Sequence, residues 1–210
     1  LTGKINPCGK LAETYPEKLS HTPAYLYRGS DARVEYGESV FVGYRYYDKK
    51  DLNVLFPFGH GLSYTTFEYS DMTVERVEDE IHVSLTVTNT GSYEGSEVVQ
   101  IYIGLNEKFA IQPVRKLAAF GKVYLKPGES VRRNFSIPVR EFTYYDASQK
   151  EFVFATGKNM IEAGKSSRCI ELRHEINITD SNKKYPPVNR NTPLGILLDI
   201  PQIKDIVMEW

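Results

Sequence analysis

The stretch IHVSLTVTNTG, residues 81–91, decides the fold. Its apolar residues alternate with polar ones and occupy a single phase: Ile81, Val83, Leu85 and Val87. A period of two places these side chains on one face of a strand and leaves the polar residues on the other face. The NTG at 89–91 predicts a turn after that strand.

The same signal recurs downstream. Two further strands have apolar residues in phase: Val99, Ile101 and Ile103 in one, and Val131, Phe135, Ile137 and Val139 in the other. Between them, KLAAFGKVYL (116–125) predicts a strand and KPGES (126–130) a turn. Later, YYDASQKEFVFATG predicts two short strands around a polar turn. The last segment, SSRCIELRHEINI, predicts a strand with His174 among the apolar positions Ile170, Leu172 and Ile176.

About seven strands joined by short turns, with no helical pattern between them, are typical of an antiparallel β-sandwich. We therefore predict an all-β fold of the immunoglobulin or fibronectin type III kind. The predicted domains are an extended segment at 1–60, the sandwich at 61–178, and a linker with a short helical tail at 179–210.

The tail carries helix signals of its own. Thr192 is a candidate N-cap, Pro193 suits the first helical position, and Pro201 predicts an interruption before a second helix. The apolar residues of the tail form a surface with two possible partners: the sandwich of the same chain, or a second copy in a homodimer. We favour docking on the sandwich of the same chain.

Composition excludes several classes of function. The chain has 210 residues, 41% apolar content and a net charge of −1, so nothing draws it to nucleic acid or to an anionic membrane. The sequence has no apolar run long enough to span a membrane, and its first twenty residues lack the apolar centre of a signal peptide, although a longer precursor could have carried one. Two cysteines, Cys8 and Cys169, fit burial or a reducing compartment better than a disulfide, which slightly favours the cytoplasm.

Several motifs resemble the C-terminal part of glycoside hydrolase family 3, the β-glucosidase and β-xylosidase family. GKINPCGKLAETYP (3–16) resembles the end of its α/β sandwich domain, and VFVGYRYYDKKDLNVLFPFGHGLSYTTFEYS (40–70) resembles the passage into its fibronectin type III-like domain. GSEVVQIYI and PVRKLAAFGKVYLKPGES are similar to strands within that last domain. The resemblance implies partner domains: a catalytic barrel and an α/β sandwich.

The resemblance also implies that this chain is inactive alone. The family's nucleophile is an aspartate of the barrel in a Ser-Asp-Trp setting, whereas Asp31 and Asp71 are followed by alanine and methionine, and Trp210 is the only tryptophan. The family's acid/base glutamate lies upstream of the segment that matches 3–16. The sequence has no phosphate loop, serine elbow or metal-ligand spacing, so we predict no catalytic residue, cofactor or metal.

The candidate binding residues lie in YRYYD at 44–48. Tyr44 and Tyr46 could stack on a sugar ring, while Arg45 and Asp48 could bind its hydroxyls. The interpretation that we favour is an interdomain strand whose rings pack against the sandwich. For His60, between two glycines, we favour a tight backbone path, and for His174 a partly buried core position.

The predicted function is that of a non-catalytic structural domain of a β-glucosidase-like glycoside hydrolase. Two alternatives remain open: a free-standing carbohydrate-binding or adhesion module, and half of a split β-glucosidase. Residues 25–69 are rich in aromatics, so exposure of such residues in the isolated chain predicts self-association or disorder of the first sixty residues.

Overall fold

The structure, a computed structural model, describes residues 3–27, 29, 32–34, 36–107, 111–147, 149–179, 188, 190, 192–198 and 200–208. It divides into two compact units, Leu1–Thr179 and Asp180–Trp210. Asp31, Trp210 and most of the predicted linker lie outside the described residues. The predicted domain boundary at residue 60 stays a prediction.

The first unit is built mainly from strands. They are β1 Tyr15–Pro16, β2 Val54–Phe56, β3 Phe67–Val77, β4 Glu80–Asn89, β5 Gly95–Gly104, β6 Lys116–Leu125, β7 Ser130–Pro138, β8 Thr143–Asp146, β9 Glu151–Phe154, β10 Gly157–Gly164 and β11 Ile170–Ile178. One α-helix, α1, spans Tyr44–Lys49, and short 3₁₀ turns span Leu19–His21, Pro23–Leu26 and Val139–Phe142.

Seven of these strands form the sandwich, which confirms the predicted fold class. One sheet has the order β11-β10-β5-β6 and the other β3-β4-β7, and every pairing is antiparallel. The alternating residues 81–89 lie in β4, the central strand of the smaller sheet, where Ile81 lies opposite Ile137. Ile81 and Leu85 are fully buried, as the alternation predicts.

The core lies between the two sheets. Its fully buried members include Val87, Val99, Ile101, Ile137 and Ile161, with Phe142 closing it from the 3₁₀ turn. Burying a side chain of this size contributes about 1.5–3 kcal/mol relative to leaving it exposed. These contacts make the sandwich a packed domain.

Two details differ from the sequence prediction. The two short strands around the polar turn, β8 and β9, pair with each other as a separate sheet, while the sandwich gains β10, which the sequence did not reveal. His174 is exposed, so its predicted partial burial is wrong. It lies opposite Ile161 in the apolar phase, but β11 is an edge strand whose outer part stays open to solvent.

Asn89 organises one end of the sandwich. Its side chain accepts hydrogen bonds from the Thr65 hydroxyl at 2.6 Å and donates to the Tyr93 and Leu125 carbonyls. Its backbone N–H and C=O bond to Glu129 and Gly128 in the β6–β7 turn. Asn89 is completely buried, where polar groups need hydrogen-bond partners. Its side chain and its backbone together satisfy backbone groups from several loops.

Acidic residues gather at the opposite turn of the same strand. Glu75, Glu78, Asp79 and Glu80 are all exposed around the β3–β4 connection, as a solvated turn requires. Both cysteines are free: Cys8 is partly buried and accepts a hydrogen bond from the Lys122 ammonium at 2.9 Å, whereas Cys169 is exposed. The sequence left burial and a reducing compartment open as explanations of the cysteines, and the exposure of Cys169 does not fit burial.

The described part of the N-terminal segment, within residues 3–60, lies against the outer face of the larger sheet, over Gln100 and Tyr102 of β5. Its strands are short: β1 and β2 pair as a two-residue ribbon in which Tyr15 lies opposite Phe56. It meets the sandwich through α1 and through the backbone near Gly59.

The second unit contains the predicted helical tail. Helix α2 spans Leu194–Leu198 and helix α3 spans Pro201–Met208, with the predicted interruption at Pro201. No described helix is long and apolar enough to cross a membrane.

Candidate functional site

The four candidate sugar-contact residues lie on a helix, so the strand predicted for 44–48 is wrong. Gly43, at φ +55°, turns the chain into α1, and its carbonyl accepts hydrogen bonds from the N–H groups of Tyr46 and Tyr47. A helix of six residues is too short to be stable alone, so packing against the sandwich must hold it. The predicted packing of rings is present, although the secondary structure differs.

Tyr44 faces the sandwich. Its ring stacks on Phe58 with 4.7 Å between centroids and meets the edge of Tyr102 at 6.1 Å. Its hydroxyl oxygen accepts a hydrogen bond of 2.7 Å from the Leu117 N–H. These contacts fix the Tyr44 ring and hydroxyl against the sandwich.

Asp48 lies one helical turn further along the same face. Its Oδ1 accepts a 2.8 Å hydrogen bond from Arg168 Nε, and its Oδ2 lies 3.7 Å from Arg115 Nη1. Burial raises the pKa of Asp48 above 3.8, while both arginines oppose that rise. The carboxylate therefore ties α1 to the sandwich through two arginines.

All four candidate residues are partly exposed, although the Asp48 side chain itself is only 5% exposed. The Tyr46 ring meets Tyr47 edge-on at 5.6 Å, and Tyr47 is itself buried. Tyr44 and Asp48 are thus the pair that bonds to the sandwich. For all four candidates, the role as a carbohydrate contact stays a prediction.

A charged cluster continues from Asp48 into the larger sheet. Glu162, buried on β10, accepts hydrogen bonds from Arg115 Nε at 2.6 Å and Arg173 Nε at 2.9 Å. Arg115 also donates to the Ser167 carbonyl at 2.8 Å, and Arg168 to the Leu52 carbonyl at 2.8 Å. Sequence reasoning missed these arginines, because nothing local distinguishes them from solvated ones.

The joint between segment and sandwich lies at PFGHG, residues 57–61. Gly59 has φ +80°, and a Cβ there would lie 2.0 Å from Gln100 Oε1. Gln100 donates to the Gly59 carbonyl at 3.2 Å, and the Leu11 N–H donates to the His60 carbonyl at 2.8 Å. The glycines permit a tight path, while the His60 ring tilts against Phe56 at 5.2 Å.

A buried ion pair joins the start of the segment to the end of the sandwich. Lys10 Nζ lies 2.9 Å from Glu97 Oε1, and Glu97 also accepts a 3.2 Å hydrogen bond from the Tyr69 hydroxyl. The Lys10 and Glu97 side chains are 15% and 6% exposed. Burial, followed by the nearby Glu97 charge, strongly raises the pKa of Tyr69, which keeps that hydroxyl a donor.

One open depression of about 290 Å³ lies beside α1. Its floor includes Leu105, Pro113 and Met160. Its charged rim is already paired, Lys49 with Glu107 and Lys158 with Glu175. Among the described residues, no group of three His, Cys, Asp or Glu side chains could hold a metal ion.

Comparison with known proteins agrees with this architecture. A family model for the fibronectin type III-like domain matches residues 97–167. Thermostable β-glucosidase B of Acetivibrio thermocellus is 47% identical over 188 residues, which cover 87% of this chain and 25% of that protein. The crystal structure of a GH3 β-glucosidase from Bifidobacterium adolescentis superposes with a TM-score of 0.89 at 37% identity, covering 98% of this chain and 31% of that one.

The chain belongs to glycoside hydrolase family 3 and corresponds to the C-terminal part of its members. A further family member, β-glucosidase 3B from Thermotoga neapolitana in complex with α-D-glucose, superposes with a TM-score of 0.82 at 38% identity, covering 86% of this chain and 26% of that one. The chain spans about a quarter of the length of the first of these relatives. These relatives are multi-domain family 3 enzymes, and the part that matches is consistent with a non-catalytic domain.

Proposed function

We propose that this chain braces the catalytic domains of a β-glucosidase-like family 3 enzyme. The observation that supports the proposal is the outward surface of the N-terminal segment. Its exposed large apolar residues are Ile5, Tyr15, Leu19, Tyr25, Leu26, Tyr27, Val34, Tyr36, Val40, Val42, Leu55 and Phe56. A surface with this much apolar area fits contact with another protein domain.

The partner that we propose is the family's α/β sandwich domain, with the catalytic barrel beyond it. The relatives have most of their length outside the matched part, which supplies the domains to cover this surface. Hydrolysis of O-glycosyl bonds would then belong to the complete enzyme, with this chain holding the neighbouring domains in position.

Reconstitution in two pieces tests the proposal. The chain is mixed with the remaining domains of the Acetivibrio relative, and complex formation is followed by size-exclusion chromatography together with aryl-glucoside hydrolysis. We expect a stable complex that Leu55→Ser with Phe56→Ser weakens at least tenfold. A matched control is Phe152→Ser, because Phe152 is 72% exposed but lies on the separate β8–β9 hairpin.

The outcomes separate the alternatives. Absence of a complex would overturn the docking proposal. A complex that gains glucosidase activity would support the split-enzyme version of the same assembly. Hydrolysis by the 210 residues alone would overturn the non-catalytic assignment.

A carbohydrate-binding role is the second candidate, supported by the partial exposure of Arg45 and Tyr46. Calorimetry with β-linked gluco-oligosaccharides tests it, since Tyr46→Ala should abolish binding while Tyr36→Ala should leave it unchanged. Absence of saturable binding removes this candidate. A homodimer through the same apolar surface is a third outcome, and it would appear as a concentration-dependent mass in analytical ultracentrifugation.

A further inference from the structure

The hydrophobic core of the sandwich is complete without the N-terminal segment. Within the described residues, every buried member of the core cluster comes from the part of the chain between Phe67 and Ile178. The segment lies on the opposite, outer face of the larger sheet, over Gln100 and Tyr102 of β5. Its removal would therefore leave the interior between the sheets covered.

The contacts that seat the segment are largely polar. Lys10 pairs with buried Glu97, Asp48 pairs with Arg168, and the Gly59 carbonyl accepts from Gln100. The apolar contribution includes the stack of Tyr44 and Phe58 near Tyr102 and the buried Tyr47. This inward face differs in character from the apolar outward face described above.

The energetics of buried ion pairs explain what such a seat does. The cost of removing two charges from water offsets most of their attraction, so an intact pair adds little net stability. A charge that is buried without its partner is strongly unfavourable. The pair therefore favours the one arrangement of the segment in which both charges are matched. When the segment lifts, both charges recover their water, so opening carries no penalty of stranded charge.

We propose that the described part of the N-terminal segment, within residues 3–60, forms a strap that opens as a unit while the sandwich stays folded. The Lys10–Glu97 and Asp48–Arg168 pairs fix its closed position. The strap is thus a conformational device of this chain, and it operates whether or not a partner domain docks on its outer face.

Hydrogen exchange of the wild-type chain tests the strap directly, because two sandwich amides bond to it. The Ser167 N–H donates to the Phe58 carbonyl at 2.9 Å, and the Leu117 N–H donates to the Tyr44 hydroxyl at 2.7 Å. We expect both amides to exchange through a smaller opening than the amides of β4, at least tenfold faster after correction for intrinsic rates. Exchange of all these amides through one common opening would overturn the proposal.

Lys10→Met sharpens the test, because it leaves Glu97 buried without its cation. We expect exchange at Ser167 and Leu117 to accelerate on the order of 100-fold, with β4 unchanged. Lys10→Met with Glu97→Gln should return most of that protection. The matched control is Lys158→Met, whose pair with Glu175 is exposed and should leave exchange unaltered.

The variants also define failure. If Lys10→Met unfolds the sandwich, or accelerates β4 as much as Ser167, the segment is an inseparable layer and the strap is wrong. An equal acceleration in Lys158→Met would show that any lost lysine loosens the chain, and would overturn the specific role of Lys10.

Discussion

The sandwich and the N-terminal segment distribute polar and apolar groups in opposite ways. In the sandwich, Ile81 and Leu85 point inward and are fully buried, while Glu80 and His82 point outward. In the segment, Lys10 and Asp48 point inward, while Leu55 and Tyr36 are exposed. The sandwich is organised around its own hydrophobic core. The segment contacts the larger sheet with polar groups and exposes apolar groups on its other side.

This difference separates two sources of stability. Burial of apolar area drives folding of the sandwich, because the interior removes those side chains from water. Charge pairs and hydrogen bonds fix the position of the segment on the sheet. They strongly disfavour other positions of the segment but contribute little net free energy of folding. Substitutions should therefore act globally in the sandwich and locally in the segment.

The largest effect is expected in the core. Ile101→Ala removes a fully buried side chain between the sheets and should lower the free energy of unfolding by about 2–5 kcal/mol. Urea denaturation followed by circular dichroism measures it. Leu55→Ala, at a position 60% exposed in the segment, should change it by less than about 0.5 kcal/mol. Equal effects at the two sites would erase the contrast.

A smaller effect is expected at the joint. Gly59→Ala combines a left-handed backbone, at φ +80°, with a methyl group 2.0 Å from Gln100 Oε1, and should cost roughly 1–3 kcal/mol. Gly128→Ala is the matched control, because its φ is +75° but its methyl group meets nothing within 4 Å. Thermal unfolding should rank Gly59→Ala as the more damaging. The reverse order would mean that the Gln100 side chain moves away from the added methyl group at little cost.

The third prediction concerns the ionisation of Asp48. Burial raises its pKa above 3.8, so its contribution to stability is fully present below pH 3.8 and is lost as pH rises through the folded-state pKa. The stability advantage of wild type over Asp48→Asn should therefore shrink with rising pH across that window, in urea titrations at several pH values.

Carboxyl carbon NMR provides the direct measurement and its control. The Asp48 midpoint should lie above 3.8, whereas Glu107, whose pKa the Lys49 hydrogen bond lowers, should titrate below 4.5. An Asp48 midpoint below 3.8 would mean that the arginines outweigh burial, which would make the contact of α1 with the sandwich more favourable electrostatically than we infer.

The smallest effect on stability is expected on the outer face. Tyr36→Ser, at a position 88% exposed, should change the free energy of unfolding by less than about 0.5 kcal/mol. It should nevertheless reduce self-association of the isolated chain, because an apolar surface is what would drive it. Sedimentation velocity across a concentration series measures the change, and an unaltered association constant would direct attention away from this face.

The sandwich could be predicted because one face of its strands is solvated. In β4 the alternation of Val83 with Ser84 records burial on one side and water on the other. Strand β10 escaped notice because Ile161 faces the core while Glu162, its neighbour, is buried by the arginines on the outer face. With both faces covered, the period of two disappears from the sequence.

The segment and its site were harder for a different reason. The aromatics of YRYYD favour a strand by propensity, but Gly43 and the packing of Tyr44 against Phe58 impose a helix. Lys10 and Glu97 lie far apart along the chain, so no local pattern connects them. What the residues did indicate was the tight backbone path around His60, while the domain boundary predicted there stays a prediction.

Asn89 carries a practical consequence for protein engineering. Since its side chain and backbone satisfy groups in the connections near Thr65, Tyr93 and Gly128, lengthening any one of them disturbs the others. An epitope tag or a fused module is better placed at the other end of β4, in the exposed Glu78–Asp79 turn, where the bonds at stake are those of the Glu78 carbonyl with Arg76 and of the Asp79 carbonyl with the Val139 N–H.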